Sequence, residues 1–180
     1  MEVKTDPPLP TFKYHPNPVA TGMFIESRTL CPVCSRERPF KYVGPFYSKV
    51  KVNGICPWCI ADGSAARNFH GQFQDSSTVE APITRARLEE LIYRTPGYGG
   101  WQQEEWLSHC NEPCAFINYV GWNEIESLVE KLQDDLARIS AEYRMSIEHL
   151  SRRMANGGPL QGYLFKCVNC GKFRLHVDSD

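Results

Sequence analysis

CPVCSRERPFKYVGPFYSKVKVNGICPWC, residues 31–59, is bracketed by two pairs of cysteines, Cys31 with Cys34 and Cys56 with Cys59. Two residues between cysteines let both sulfurs meet one metal ion while backbone N–H groups point at them. The spacing Cys-x2-Cys-x21-Cys-x2-Cys is that of a compact zinc ribbon. Between the pairs, Phe40-Lys41-Tyr42-Val43 is aromatic and β-branched and reads as a strand that Gly44-Pro45 breaks. Lys49-Val50-Lys51-Val52 alternates with period two and reads as a second strand, and Asn53-Gly54 as a turn.

Two further pairs lie outward of this stretch, Cys110 with Cys114 and Cys167 with Cys170, and none of the eight cysteines is left over. Eight thiols grouped two by two supply two structural, tetrahedral four-thiolate zinc sites. Four pairs combine into two sites in three ways. The nearest-neighbour arrangement, 31/34/56/59 with 110/114/167/170, is expected, and the others interleave the halves. The second set is looser: three residues separate Cys110 from Cys114, and 52 separate Cys114 from Cys167. Loop closure costs only about 0.6 kcal/mol per doubling of length, so a helical insertion accounts for the gap. Gly171, directly after Cys170, permits the positive φ that such a knuckle needs. His109 stands beside Cys110 and is expected outside the ligand set.

Rival chemistries fit less well. A redox Cys-Pro-Trp-Cys wants a single pair within a βαβ unit, which is missing here. Catalytic zinc keeps an open position, which complete four-thiolate sets do not leave. No His-Glu-x-x-His, phosphate-binding loop or nucleophile elbow is present. The expectation is a protein that is not an enzyme.

The 180 residues carry a formal net charge of −1, with 42% apolar and 23% charged residues. These values describe an ordinary globular chain of one domain, without the basic excess of a nucleic-acid binder. Two filled four-thiolate sites bring the charge to about −5. Met1–Pro8 has no basic-then-apolar signal run, and no stretch reaches a membrane span. A cytoplasmic location is therefore expected, where cysteines stay reduced and bind metal.

Proline-rich residues 1–20 begin with about eight residues expected to be mobile. Leu9–His15 reads as extended, anchored by Phe12 and Tyr14, and Met23–Ser27 as a strand. A short helix is expected at 63–67, capped by Asp62, and another at 85–94, ended by Thr95-Pro96-Gly97. Trp101-Gln102-Gln103-Glu104-Glu105-Trp106 is expected to make one or two helical turns. Apolar residues recur every three or four positions from Ile125 to Met154, predicting helix over about 124–155, continuous or broken near Ser140. Asp134–Arg138 and Glu148–Arg152 have the spacing of supporting ion pairs. Residues 163–177 read as a hairpin tipped by a cysteine knuckle. The expected architecture is one α+β domain over 1–180. Its parts are a zinc ribbon at 9–81, a helical region at 84–158 and a knuckle hairpin at 160–178.

Surface candidates are Tyr98 and Trp101, which flank Gly99-Gly100, and the acidic residues Glu124, Glu126, Glu130, Asp134 and Asp135 of the helical region. Arg36, Arg38, Lys41, Lys49 and Lys51 on the first ribbon keep a nucleic-acid role as the alternative to a protein partner.

Several longer motifs stand in order: Phe12-Lys-Tyr-His-Pro-Asn-Pro18, Cys56-Pro-Trp-Cys-Ile-Ala-Asp-Gly-Ser-Ala65, Arg94-Thr-Pro-Gly-Tyr98, Trp101–Trp106 and Gly162-Tyr-Leu-Phe-Lys-Cys167. Together they resemble the CbrC family of bacterial proteins, named for a colicin-tolerance protein. The resemblance implies tolerance or immunity to a nuclease-type toxin through protein binding, and supplies no catalytic residues. An acidic surface would suit the basic cleft of such a toxin.

Overall fold

The computed structural model describes residues 7–180, so the expected mobility of the first eight residues falls mostly outside it. The chain forms two compact units, one built from residues up to 76 with 88–98, the other from 77–87 with 99–180. Both mix helices with short antiparallel strands, an α+β architecture.

The first unit opens with an irregular segment that bends at 13–14 and buries Phe12 and Tyr14. Strands β1 (Phe24–Leu30) and β2 (Glu37–Tyr42) then pair antiparallel. This corrects the sequence reading of the ribbon. Residues 49–52 form no strand, and the partner of β2 precedes the first cysteine pair. The Cys31–Cys34 knuckle is thus the tip of the hairpin, where Leu30 pairs with Glu37. Helices α1 (Pro57–Ala61) and α2 (Ser64–Phe69) follow the second pair. Pro57 occupies the first turn of α1, where its missing N–H costs nothing. The N-cap of α2 is Gly63 at φ +72° and not the expected Asp62, whose Oδ1 accepts the Ser64 N–H at 2.8 Å from one position earlier. Helix α3 (Arg85–Arg94) has the predicted bounds.

The core of this unit is aromatic. Phe12 stands edge-on to Phe24, Phe24 to Tyr42 and Tyr42 to Phe73, with centroids 5.4–6.1 Å apart. The turn at 95–98 lies close against it. A β-carbon on Gly97 would meet the carbonyl oxygen of Phe73 at 2.2 Å, so only glycine fits. His15 is fully buried there. Its Nδ1 lies 2.9 Å from the Pro96 carbonyl and its Nε2 2.7 Å from Thr21 Oγ1. The carbonyl can only accept, so Nδ1 carries the proton and Nε2 accepts from the threonine hydroxyl.

The second unit is a three-stranded antiparallel sheet in the order β5-β6-β7, with a small hairpin beside it. The hairpin strands are β3 (Ser108–His109) and β4 (Glu112–Pro113). Strand β5 (Ala115–Val120) leads into α4 (Trp122–Ile125), a 3-10 segment over Glu126–Leu132, α5 (Gln133–Tyr143) and α6 (Ile147–Arg153). Strands β6 (Leu160–Lys166) and β7 (Phe173–Ser179) close the sheet. The expected hairpin at 163–177 is therefore present, with β5 added as a third strand.

Period-two alternation gives this sheet two different faces. Leu164, Leu175 and Val177 join Ile125, Leu132, Leu136, Ile139 and Leu150 in an apolar core under the helices. On the other face Phe116, Phe165 and Trp106 meet edge-on, beside Tyr119 and Tyr163. The stretch 124–155 is helical but not one helix. It breaks at Arg144, whose φ is +52°, and the Ser140 hydroxyl donates to the Met145 carbonyl across the break. Arg152 pairs with Glu148 as expected, whereas Asp134 pairs with Lys172 at 2.9 Å and Arg138 turns to Glu142.

Helix α5 also protects the edge strand β7. Arg138 donates to the Leu175 carbonyl, Tyr143 to the Val177 carbonyl, and Asp135 Oδ2 accepts the Leu175 N–H at 2.9 Å. Edge groups satisfied in this way are closed to pairing with another chain.

Burial holds the pKa of His15 down to about 4, against the pull of its hydrogen bond to Pro96. The folded protein therefore binds fewer protons than the unfolded chain between about pH 4 and 6.5. This group leaves stability unchanged above about pH 6.5. It removes up to about 3 kcal/mol as the pH falls toward 4. Urea denaturation at pH 7 and pH 4 should show a larger loss for the wild type than for His15→Gln. Equal losses would contradict this assignment.

Candidate functional site

Two clusters of ligand atoms stand out, one in each unit. In the first, the sulfurs of Cys31, Cys34, Cys56 and Cys59 all lie within 4.8 Å of one another. Cys31 to Cys59 and Cys34 to Cys56 are both 4.0 Å. Four thiolates around zinc at about 2.3 Å stand roughly 3.8 Å apart, so the set fits a tetrahedral ion with small adjustment.

The backbone explains the convergence. Ser35 adopts φ +53°, which turns its N–H back to the Cys31 carbonyl at 2.9 Å, while the Cys31 N–H reaches the Arg36 carbonyl at 2.9 Å. The Cys56 N–H points at Cys31 Sγ at 3.4 Å. The thiols crowd one another enough to split their acidities. Hydrogen bonds from Cys56 and Cys59 push Cys31 far down, while sharing with Cys31 pushes Cys56 up to about 12 and Cys59 higher still. Such a cluster favours a cation that removes the protons.

In the second cluster His109, Cys110, Cys167 and Cys170 lie within 4.8 Å. His109 Nδ1 stands 3.2 Å from Cys110 Sγ and 3.3 Å from Cys170 Sγ. The knuckle at Cys167 repeats the first one. Gly171 at φ +74° sends its N–H to the Cys167 carbonyl at 3.0 Å, and the Cys167 N–H reaches the Lys172 carbonyl at 2.8 Å. Burial opposes ionisation of Cys167, but the N–H groups of Cys170 and Asn169 outweigh it and hold the thiol near 6. Hydrogen bonding with Cys170 raises Cys110 to about 11.

Cys114 lies outside this cluster, and the β3–β4 turn gives the reason. Cys110 and Asn111 both adopt positive φ, +56° and +55°, the two central positions of a type I′ hairpin. The turn presents His109 and Cys110 together at the tip. Cys114 sits past β4 with its N–H on the Leu107 carbonyl, roughly 10 Å along the strand from the turn. It is buried, and burial raises its thiol to about 12. The unequal Cys110-x3-Cys114 spacing was the available signal, since the other three pairs have two intervening residues.

The surface candidates divide. Trp101 is half exposed, and its Nε1 donates to the Gly158 carbonyl at 3.0 Å. Tyr98 is fully buried, against expectation, because the turn before Gly99 packs inward. Asp135 is also buried, holding Arg174 at 2.9 Å, so it offers no contact to a partner. Glu124 is exposed but turns back to accept the Gly121 N–H at 2.7 Å, while Glu126 is exposed and Asp134 meets Lys172. Among the basic candidates, Arg38 is buried against the Trp58 ring at 4.8 Å. Residues 101–106 are not helical: 101–103 bend where the Trp101 and Gln102 N–H groups are tied to Asp178, and Trp106 bridges to Val79.

The fold and clusters define an α+β protein with two sites that could hold metal ions. The chain belongs to UPF0167, an uncharacterised protein family whose model matches residues 9–179. It is 40% identical to UPF0167 protein Mb2317 of Mycobacterium bovis, covering 98% of this chain and 97% of that one. It is 38% identical to UPF0167 protein PA1536 of Pseudomonas aeruginosa, covering 97% and 98%. No solved structure matches. These matches correct the CbrC resemblance: the family and the names of its curated members are UPF0167, with no colicin-tolerance assignment. Among the described residues, no helix is long and apolar enough to cross a membrane.

Slow alkylation of the metal-loaded, folded protein should label the exposed Cys110 and Cys170 first. Buried, protonated Cys114 should lag behind both, as read by peptide mass mapping. Early labelling of Cys114 would contradict its place in the structure.

Proposed function

We propose that this protein is a non-catalytic, zinc-organised binding protein, with one structural zinc in each unit and a protein as its partner. The complete ligand sets carry the reading. Cys31, Cys34, Cys56 and Cys59 supply four sulfurs, and His109, Cys110, Cys167 and Cys170 supply three sulfurs and one nitrogen. Both are closed donor sets of the kind structural zinc uses, and neither leaves a position for substrate. Zinc in such sites contributes about 10–16 kcal/mol of apparent binding free energy, enough to decide whether a small unit folds.

A protein partner is supported by Trp101, a large apolar ring held outward by its own indole hydrogen bond and by Asp178 on its backbone N–H. Pre-ordered tryptophans make effective anchors because little side-chain freedom remains to be lost on binding. The toxin-tolerance role came from the resemblance now corrected and forms no part of the proposal. A cytoplasmic location accords with eight free thiols, seven of them gathered in the two clusters.

Elemental analysis of the purified chain should give two zinc ions, and a strong chelator should unfold both units. Trp101→Ala should retain both ions and lose the partners captured from a producing-cell lysate. A folded chain without zinc would overturn the structural role, and capture unaffected by Trp101→Ala would overturn the anchor.

A further inference from the structure

A cleft of mixed polar and apolar lining in the second unit lies apart from the ligand clusters. It has a volume of about 330 Å³ and is walled by Ser77, Thr78, Glu80, Glu105, Trp106 and Arg138, with Val79 and Leu107 completing it. That is the lower end of the range for small-ligand sites. Arg138 fixes one wall to the β7 edge through the Leu175 carbonyl. The parallel bridge of Val79 to Trp106 fixes the other.

His176, from β7, is not part of the lining but reaches Glu105, which is. Its side chain is only 8% exposed, and its Nδ1 lies 3.6 Å from Glu105 Oε2, beyond hydrogen-bonding distance, with no hydrogen-bond partner of its own. A buried imidazole nitrogen without a partner is costly, and natural structures rarely leave one without a reason. Burial keeps the ring neutral, against the opposing pull of Glu105 and Asp178. A neutral ring has one nitrogen that only accepts. With Nδ1 in that role, imidazole and carboxylate are two acceptors close enough to share one donor.

The charges select the ligand's sign. Around the cleft stand Glu80, Glu105, Asp135, Glu142 and Asp178, against Arg138 and Arg174. Arg174 is engaged by Glu80 and Asp135, and Arg138 by Leu175, Asp135 and Glu142. An anion would therefore meet excess carboxylate and cationic groups already in use. A metal ion lacks a donor set there: only the two clusters described above gather three ligand atoms among the described residues. Val79, Trp106 and Leu107 offer an apolar wall for a hydrocarbon stem.

We propose that this cleft binds a primary alkylammonium group, with the nitrogen held between Glu105 and His176 and the alkyl stem along Val79, Trp106 and Leu107. The same chemistry occurs in a free amine and in a lysine side chain of a partner. The inference does not depend on the zinc reading.

The test is a 1H–15N NMR titration of the metal-loaded full chain with n-butylammonium, N-acetyl-lysine methylamide and a short lysine-containing peptide. Butyrate and n-butanol serve as controls. Saturable shifts at Glu105, Trp106 and His176 are expected with the amines and not with the controls. Glu105→Gln, at an exposed side chain that leaves the fold intact, should weaken binding at least fivefold. His176→Gln is the second variant. A peptide binding ten times more tightly than butylammonium identifies the lysine of a partner as the source; equal affinities identify a free amine. Absence of saturable shifts, or unchanged affinity in a folded Glu105→Gln protein, would overturn the proposal. Metal content measured on the same sample keeps that result separate from any failure of the zinc reading.

Discussion

Four ligand atoms held within 4.8 Å of one another is the constraint on which each unit depends. Thiols that close cannot all ionise unaided, because each new negative charge raises the cost of the next. In the first cluster that conflict appears as one thiol pushed down and two pushed up. A divalent ion resolves it by replacing the protons, and the gain becomes part of the folding free energy. The two knuckles prepare for this with the same backbone device. A residue four positions after the first cysteine takes positive φ and closes a turn onto that cysteine's carbonyl.

The clusters then serve different surroundings. The first lies within an aromatic core, where Cys31, Cys56 and Cys59 are buried with Phe12, Phe24, Tyr42 and Phe73. Its ion would join the β1–β2 hairpin to the start of α1. The second stands at the tips of two hairpins, with Cys110 and Cys170 exposed. Its ion would join the β3–β4 turn to the β6–β7 turn and so hold the segment leading to Trp106 against the sheet. That segment also contributes Glu105 to the cleft, so metal and cleft share a scaffold without sharing residues.

Much of this was legible in the chain itself. The knuckles, α3 and the β6–β7 hairpin follow from local signals: cysteine spacing, Thr95-Pro96-Gly97 as a helix stop, and Gly171 as a turn residue. What was illegible depended on partners distant in sequence. Residues 49–52 alternate like a strand but join no ladder, and the strand that pairs with β2 is β1. Trp101–Trp106 has helical composition but is held in bends by Asp178 and in a bridge by Val79. Tyr98 looked exposed beside two glycines, and the same turn carries it inward. Cys114 carried the ligand's chemistry without its geometry, because a two-residue turn admits His109 and Cys110 to the tip and leaves Cys114 along the strand.

The ligand count at the metals is therefore the most direct test. Zinc K-edge X-ray absorption on the fully loaded chain should report seven sulfurs and one nitrogen shared over two ions, the sum of the two clusters. A Cys114→Ser variant should leave that spectrum unchanged. A spectrum of eight sulfurs, or one altered by the loss of Cys114, would contradict the arrangement at the second site and the hairpin geometry that produces it.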